Sequence, residues 1–166
     1  MPEGKFNKIG FAAASGAYFV ETNGGGSFDL TKGSQALADP TITAFRANAA
    51  AMARQVLSTA YGYDEGIVLF KPTLTFGAQT FRMDKQGALA YFVGNDPQFP
   101  ADSGFALKGW RAVEIRNSAI FLNGDTAMSQ GNVMITDKHG KVTTVDKTWG
   151  YTRDDEGKLR IVLHHS

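Results

Sequence analysis

The chain has 166 residues, 43% of them hydrophobic and 20% charged, with a formal net charge of +1. That is enough for one efficient core and too little for two, and it lacks the cationic excess that draws phosphate backbones or anionic lipid. Cysteine is absent, which excludes disulfides, thiolate nucleophiles and sulfur-ligated metal and leaves carboxylate, imidazole, amine, hydroxyl and backbone chemistry.

The segment IGFAAASGAYFV (9–20) follows lysines and contains small residues, a faint likeness to a secretory signal that Glu21 and the next glycines interrupt. It is shorter than the roughly 20 apolar residues that span a bilayer, and no other stretch does better. The expectation is a cytoplasmic protein with neither nucleic acid nor membrane as partner. NGGGSFDLTKGSQ (23–35) joins glycine freedom to polar side chains and cannot form a rigid helix or a central strand. The glycines at 24–26 lack the spacing and following helix of a phosphate-binding loop. Residues 1–38 therefore read as an atypical glycine-rich arm or loosely attached hairpin, able to lend an edge strand, and residues 39–166 as the domain.

Asp39 is a candidate N-cap and Pro40 suits a first helical position, which needs no donor. In the helix that follows, Ile42, Phe45, Met52, Val56 and Leu57 recur on one face with alanines between them. Tyr61–Tyr63 ends it. VLFKPTLTF (68–76) alternates as a strand, with Pro72 marking an edge or bulge, and 77–79 turns into TFRM (80–83). Asp84 caps a second, short helix that ends near Gly94, and NDPQFPADSG is a loop. Long strands follow at 105–122, 126–137, from 141 and from 159. Their links NGD, KHG and DDEG are of hairpin type, so consecutive strands are neighbours. Gly109, Gly131 and Gly150 predict bulges that curl the sheet over the long helix. The expected fold is α+β: a strongly curved antiparallel sheet wrapped around a long N-terminal helix, cone-shaped, with an internal pocket.

The terminal LRIVLHHS carries the strongest chemical signal. Alternation sets Leu159, Ile161, Leu163 and His165 on one face and Arg160, Val162, His164 and Ser166 on the other, so the histidines part company unless the strand bulges. Imidazole titrates near neutrality and suits proton transfer; hydrogen-bonded wall or interface residues are the plainer alternative. Adjacent strand residues diverge and His139 falls in a turn, so neither metal nor cofactor is expected. Asp146 lies opposite Val145, Lys147, Trp149 and Tyr151, either paired across the sheet or serving as a cavity acid or base. Arg82 or Lys71 would offer a positive end to an anionic ligand. Glu114 is either paired or in a solvent-filled cavity. Tyr91, Trp110 and Trp149 are among the aromatics expected to line or buttress the pocket.

The order of elements, with FKPTLTF, FRMDKQGALAYF, DSGFALKGW and GYTRDDEGKLRIVLHHS, resembles the nuclear transport factor 2-like superfamily over about residues 40–166. More narrowly it is similar to small bacterial relatives of the association domain of calcium/calmodulin-dependent protein kinase II. The resemblance implies the cone, a cavity and common dimerisation; some members, ketosteroid isomerase among them, use that cavity as an active site. The expectation is a homo-oligomer, a dimer, whose pocket takes a small, partly apolar molecule for a reaction that sequence leaves open. One alternative is an isomerase, dehydratase or cyclase of the ketosteroid isomerase type. There His165 or Asp146 would move a proton and Arg82 or Trp110 hold substrate, with His164, Glu114, Tyr91 and Trp149 as further ligand contacts. The catalytic tyrosine and carboxylate pair of ketosteroid isomerase has no secure match here. The other alternative is a non-catalytic oligomerisation or interaction module.

Overall fold

This computed structural model describes residues 8–12, 17–21 and 40–166, with side-chain surroundings from Ala44 onward. The glycine-rich segment 23–35, the proposed cap Asp39 and the side chain of Ile42 lie outside the described residues. Strands β1 (Lys8–Ala12) and β2 (Ala17–Glu21) pair antiparallel as a two-stranded sheet of their own, so the apolar stretch 9–20 pairs with itself.

Helix α1 runs from Pro40 to Thr59. Phe45, Ala49, Ala53 and Leu57 are buried along it, one every four residues, which is the spacing that stacks side chains on one helix face. The two alanines let the helix approach closely, while Met52 packs only at the core margin. Past its end, the amide N–H of Gly62 donates to Ile161 O at 2.9 Å and that of Ile161 to Ala60 O at 2.8 Å, tying the helix to the last strand.

Strand β3 is only Leu69–Lys71. The longer strand expected over 68–76 stops because Pro72 has no N–H to offer a ladder, and Thr75 instead turns the chain by donating its hydroxyl to Thr80 O at 2.7 Å. Helix α2 (Lys85–Val93) begins as expected: the Asp84 carboxylate accepts the Gly87 N–H at 2.7 Å. Asp84→Ala should therefore cost about 1 kcal/mol of stability, measured by urea unfolding; an unchanged midpoint would remove this cap from the account. The helix ends at Gly94, whose φ of 65° suits glycine, and where a Cβ would stand 2.9 Å from the Ser103 backbone.

Strands β4 (Ala112–Asn123), β5 (Thr126–Thr136), β6 (Val142–Arg153) and β7 (Leu159–His165) are joined by the three expected hairpins. The sheet order is β3-β7-β6-β5-β4. Two expectations fail. The sheet is mixed, because β3 enters parallel to β7, and it is open, with β3 and β4 as separate edges, neither closed nor strongly curled into a cone. Two of the three expected glycine bulges form: Ser118 is extra opposite Gly131, and Val162 is extra opposite Gly150, whereas Gly109 precedes β4, because the strand expected from residue 105 begins only at Ala112 after a helical turn over Phe105–Leu107. At Gly131 a Cβ would sit 2.1 Å from Arg116 O, so only glycine admits that approach. Each bulge bends its strand locally, but curling the whole sheet requires a layer to wrap around. The outer part of the β4–β5 hairpin lacks one among the described residues: Ile120, Phe121, Leu122 and Met128 are all exposed. The core sits instead where α1, α2 and the inner halves of β5, β6 and β7 meet, around Phe70, Phe92, Val133, Ile135, Trp149 and Ile161.

Candidate functional site

The bulge at Val162 reorganises the last strand. Strict alternation would set Ile161 and His164 on opposite faces; the extra residue brings both to the interior, where they are buried, and leaves His165 exposed. His164 is then held on every side. Its ring stacks on Trp149 at 3.8 Å and on Phe70 at 4.5 Å. Its Nδ1 lies 3.0 Å from the Tyr61 hydroxyl and its Nε2 3.1 Å from Lys147 Nζ. Burial, then the neighbouring Lys147 and His165, pushes its pKa well below the ordinary histidine range, so the ring stays neutral at physiological pH.

Lys147 is the unexpected member. It is 3% exposed and faces inward from β6 between Val145 and Trp149. Its ammonium donates to Thr73 Oγ1 at 3.1 Å, and the Thr73 hydroxyl donates to Ser166 Oγ at 2.9 Å. Lys71 Nζ donates to the Ser166 main-chain oxygen, and the Ser166 N–H donates back to Lys71 O at 3.1 Å. Burial, and secondarily the charge of Lys71, pulls Lys147 down to about 7. Tyr91 completes the group. Its hydroxyl is buried, has no hydrogen-bond partner among the described residues, and lies close enough to Thr73 to feel that hydroxyl. Desolvation raises its pKa, so it remains a neutral donor. Three hydroxyls and two amines thus converge where β3, β6, α2 and the end of β7 meet, a set suited to holding a small oxyanion by donated hydrogen bonds.

The other expected site residues are dispersed. Asp146 is exposed and accepts from Asn132 Nδ2 at 2.7 Å, on the face of β6 away from Lys147. Glu114 is exposed and paired with Arg116 at 2.7 Å. Trp110 is half-buried, its Nε1 donating to Phe105 O at 2.8 Å. Arg82 is buried, but its Nη2 already meets both Asp102 carboxylate oxygens at 2.9 Å, and the guanidinium lies over Phe99 at 4.6 Å. Trp149 and Tyr91 belong to the group around His164, Trp149 as the stacking wall. Lys147, Thr73, Ser166 and Tyr61 were not among the expected site residues. An inward lysine at mid-strand among Val145, Trp149 and Tyr151 was the one available signal, because a buried amine demands partners.

Among the described residues, no three His, Cys, Asp or Glu side chains gather as a metal would require, and no helix is long and apolar enough to cross a membrane. A cavity of about 440 Å³ opens between α1 and α2, lined by Arg46, Arg54, Leu89 and Val93 among others; none of the residues around His164 lines it.

The class defined by this order of elements is an α+β fold with an open, mixed five-stranded sheet. Within it the likeness is more specific. The model of the family described as "Metal-independent carbonic anhydrase" matches residues 34–166, and the chain belongs to that family. The metal-independent carbonic anhydrase of Nostoc sp. is 61% identical over 121 residues, 73% of this chain and 59% of the relative, so the match spans less than two thirds of that protein. The crystal structure of a cyanobacterial iota-carbonic anhydrase complexed with bicarbonate is 61% identical, covers 72% of this chain and 73% of its own, and has a TM-score of 0.70. A calcium/calmodulin-dependent protein kinase type II association domain from Thiobacillus denitrificans is 16% identical over 76% of this chain and 91% of its own, with a TM-score of 0.46.

Membership of this family overturns the functional expectations. Neither a pocket for a partly apolar ligand with an open reaction, nor an isomerase of the ketosteroid type, nor a non-catalytic association module survives a full-domain match to a carbonic anhydrase family.

Proposed function

We propose that this chain interconverts carbon dioxide and bicarbonate at the cluster formed by Thr73, Tyr91, Ser166, Lys71, Lys147 and His164. The observation that carries the reading is the buried Tyr91 hydroxyl, which lies beside the Thr73–Ser166 pair and the Thr73–Leu74 backbone and makes no well-aligned hydrogen bond among the described residues. A buried donor without an acceptor is costly, and a bicarbonate oxygen would supply one. Family membership and the bicarbonate complex of the cyanobacterial relative support the same ligand chemistry.

In hydration, a water oxygen forms the new C–O bond to CO2, one π pair moves onto a CO2 oxygen, and a proton leaves the water. Hydroxyl donors placed where the oxygen charge develops lower that barrier. Tyr91 is suited to this, with the Lys71 cation nearby and the Thr73–Ser166 pair beside it. Thr73→Val and Ser166→Ala should each lower kcat/KM for CO2 hydration by roughly 10²-fold, read by stopped-flow with a pH indicator. Near-parental rates in both would move the reaction elsewhere in the fold.

A homodimer is the assembly we favour, because the exposed Ile120, Phe121, Leu122 and Met128 form a contiguous apolar end to the β4–β5 hairpin. Sedimentation equilibrium should give twice the chain mass and Phe121→Glu the single mass; a monomeric parent would reject the dimer.

A further inference from the structure

A neutral histidine at the centre of a cluster invites the assignment of proton carrier, and the geometry argues against it. Lys147 Nζ, at 3.1 Å, is the neighbour of His164 Nε2. An amine donates an N–H in either protonation state, so Nε2 is held as an acceptor and the ring proton stays on Nδ1, facing the Tyr61 oxygen at 3.0 Å. With rings stacked on both faces, His164 is locked in one neutral tautomer and cannot pass a proton without losing a contact.

The chain of heavy atoms leaves the cluster by another route. Lys147 Nζ, Thr73 Oγ1 and Ser166 Oγ follow one another at 3.1 and 2.9 Å, and Ser166 is the half-buried end of the series. A hydroxyl both donates and accepts, so such a series can carry a proton in either direction by reversing each hydrogen bond. From the geometry of this series we propose that Lys147, through Thr73 and Ser166, accepts the proton released when water adds to CO2, with His164 and Tyr61 as the positioning residues that aim it.

The step balances. As the water oxygen bonds to carbon, its proton passes to Ser166 Oγ, the Ser166 proton to Thr73 Oγ1 and the Thr73 proton to Lys147 Nζ, giving bicarbonate and a lysine ammonium. The ammonium returns its proton to solvent by the reverse route after bicarbonate leaves. The titratable or charged groups around Lys147 are Lys71 on β3, His164 on β7, Tyr61 after α1 and Tyr91 on α2; His165 lies on the exposed side of β7 and acts on His164, and β5 carries none. Burial and Lys71 bring Lys147 to about 7, where it is free to accept a proton at neutral pH.

This inference rests on the carbonic anhydrase reading, and one experiment separates the two. CO2 hydration is followed by stopped-flow from pH 5.5 to 9 for the full chain, K147R and K147M, each first checked for native near-UV circular dichroism. The parent kcat/KM should rise with pH through about 7. Both variants should fall by roughly 10²-fold and lose that ionisation, and K147M should recover part of its rate with added imidazole or a small primary amine. K147R preserves the charge and donors but never deprotonates, so a folded K147R with the parent rate would overturn the proton-acceptor role, as would a folded K147M with the parent pH profile. If neither lysine variant folds, T73S should keep the relay and T73V lose it; equal rates in the two overturn it. An inactive parent rejects the carbonic anhydrase reading itself and this inference with it.

Discussion

In a urea titration at pH 8, His164→Ala unfolds about 4 kcal/mol more readily than the parent, within the range for removing a large buried aromatic group. The ring fills the gap between Trp149 and Phe70, with centroids at 3.8 and 4.5 Å, and nothing nearby can collapse into that space without moving β3 away from β6. Alanine also withdraws the acceptor from Lys147, leaving one N–H of a buried amine unmet. His164→Phe distinguishes the two contributions: it restores the stack and withholds the nitrogens, so it should recover about half of the loss. A loss below about 1 kcal/mol for His164→Ala would mean that the cluster is not the keystone of this end of the sheet.

The second large effect is a pH dependence. Lys147 is driven from 10.5 to about 7 by burial and by Lys71, so between those values the unfolded chain binds a proton that the folded chain does not. Stability therefore rises with pH across this window: the cost of a buried ammonium is fully present below about 7 and fades toward 10.5. Lys147→Met has no such group. From pH 7 to 9.5 the parent should gain about 3 kcal/mol relative to Lys147→Met, since one pKa unit corresponds to about 1.4 kcal/mol. His164 contributes little to this difference, because its ring is already neutral in the fold above pH 7. Paired urea titrations at the two pH values measure the quantity directly; a parent and variant that track each other would show that Lys147 is not desolvated.

Much of the local structure was legible from residue order, because it depends on interactions between near neighbours. Asp84 three residues before an amide it can accept, Gly94 at a helix end, the three hairpin links and the bulges at Gly131 and Gly150 are all short-range signals, and the structure contains each of them, while Gly109 lies before the strand it was expected to bend. The inward face of β6, with Lys147 and Trp149 opposite Asp146, also follows from period-two alternation. What alternation could not supply is the effect of one inserted residue. The bulge at Val162 put Ile161 and His164 on the same side and left His165 outside.

The candidate site lay further from view because its members come from remote parts of the chain. Tyr61, Lys71, Thr73, Tyr91, Lys147 and Ser166 meet only when β3 inserts parallel to β7, and no local propensity encodes that pairing. The bulge glycines likewise led to the expectation of a cone, and an open sheet formed. Bulge glycines determine where a strand can bend, whereas the extent of curling depends on which layers the sheet has to cover. Composition and periodicity by themselves determined one α+β domain with its helices, hairpins and inward-facing residues. Only the tertiary structure decided which of the polar side chains became a buried, mutually hydrogen-bonded group, because desolvation of Lys147 and His164 arises from contacts made across more than a hundred residues of intervening chain in the Tyr61–His164 pair.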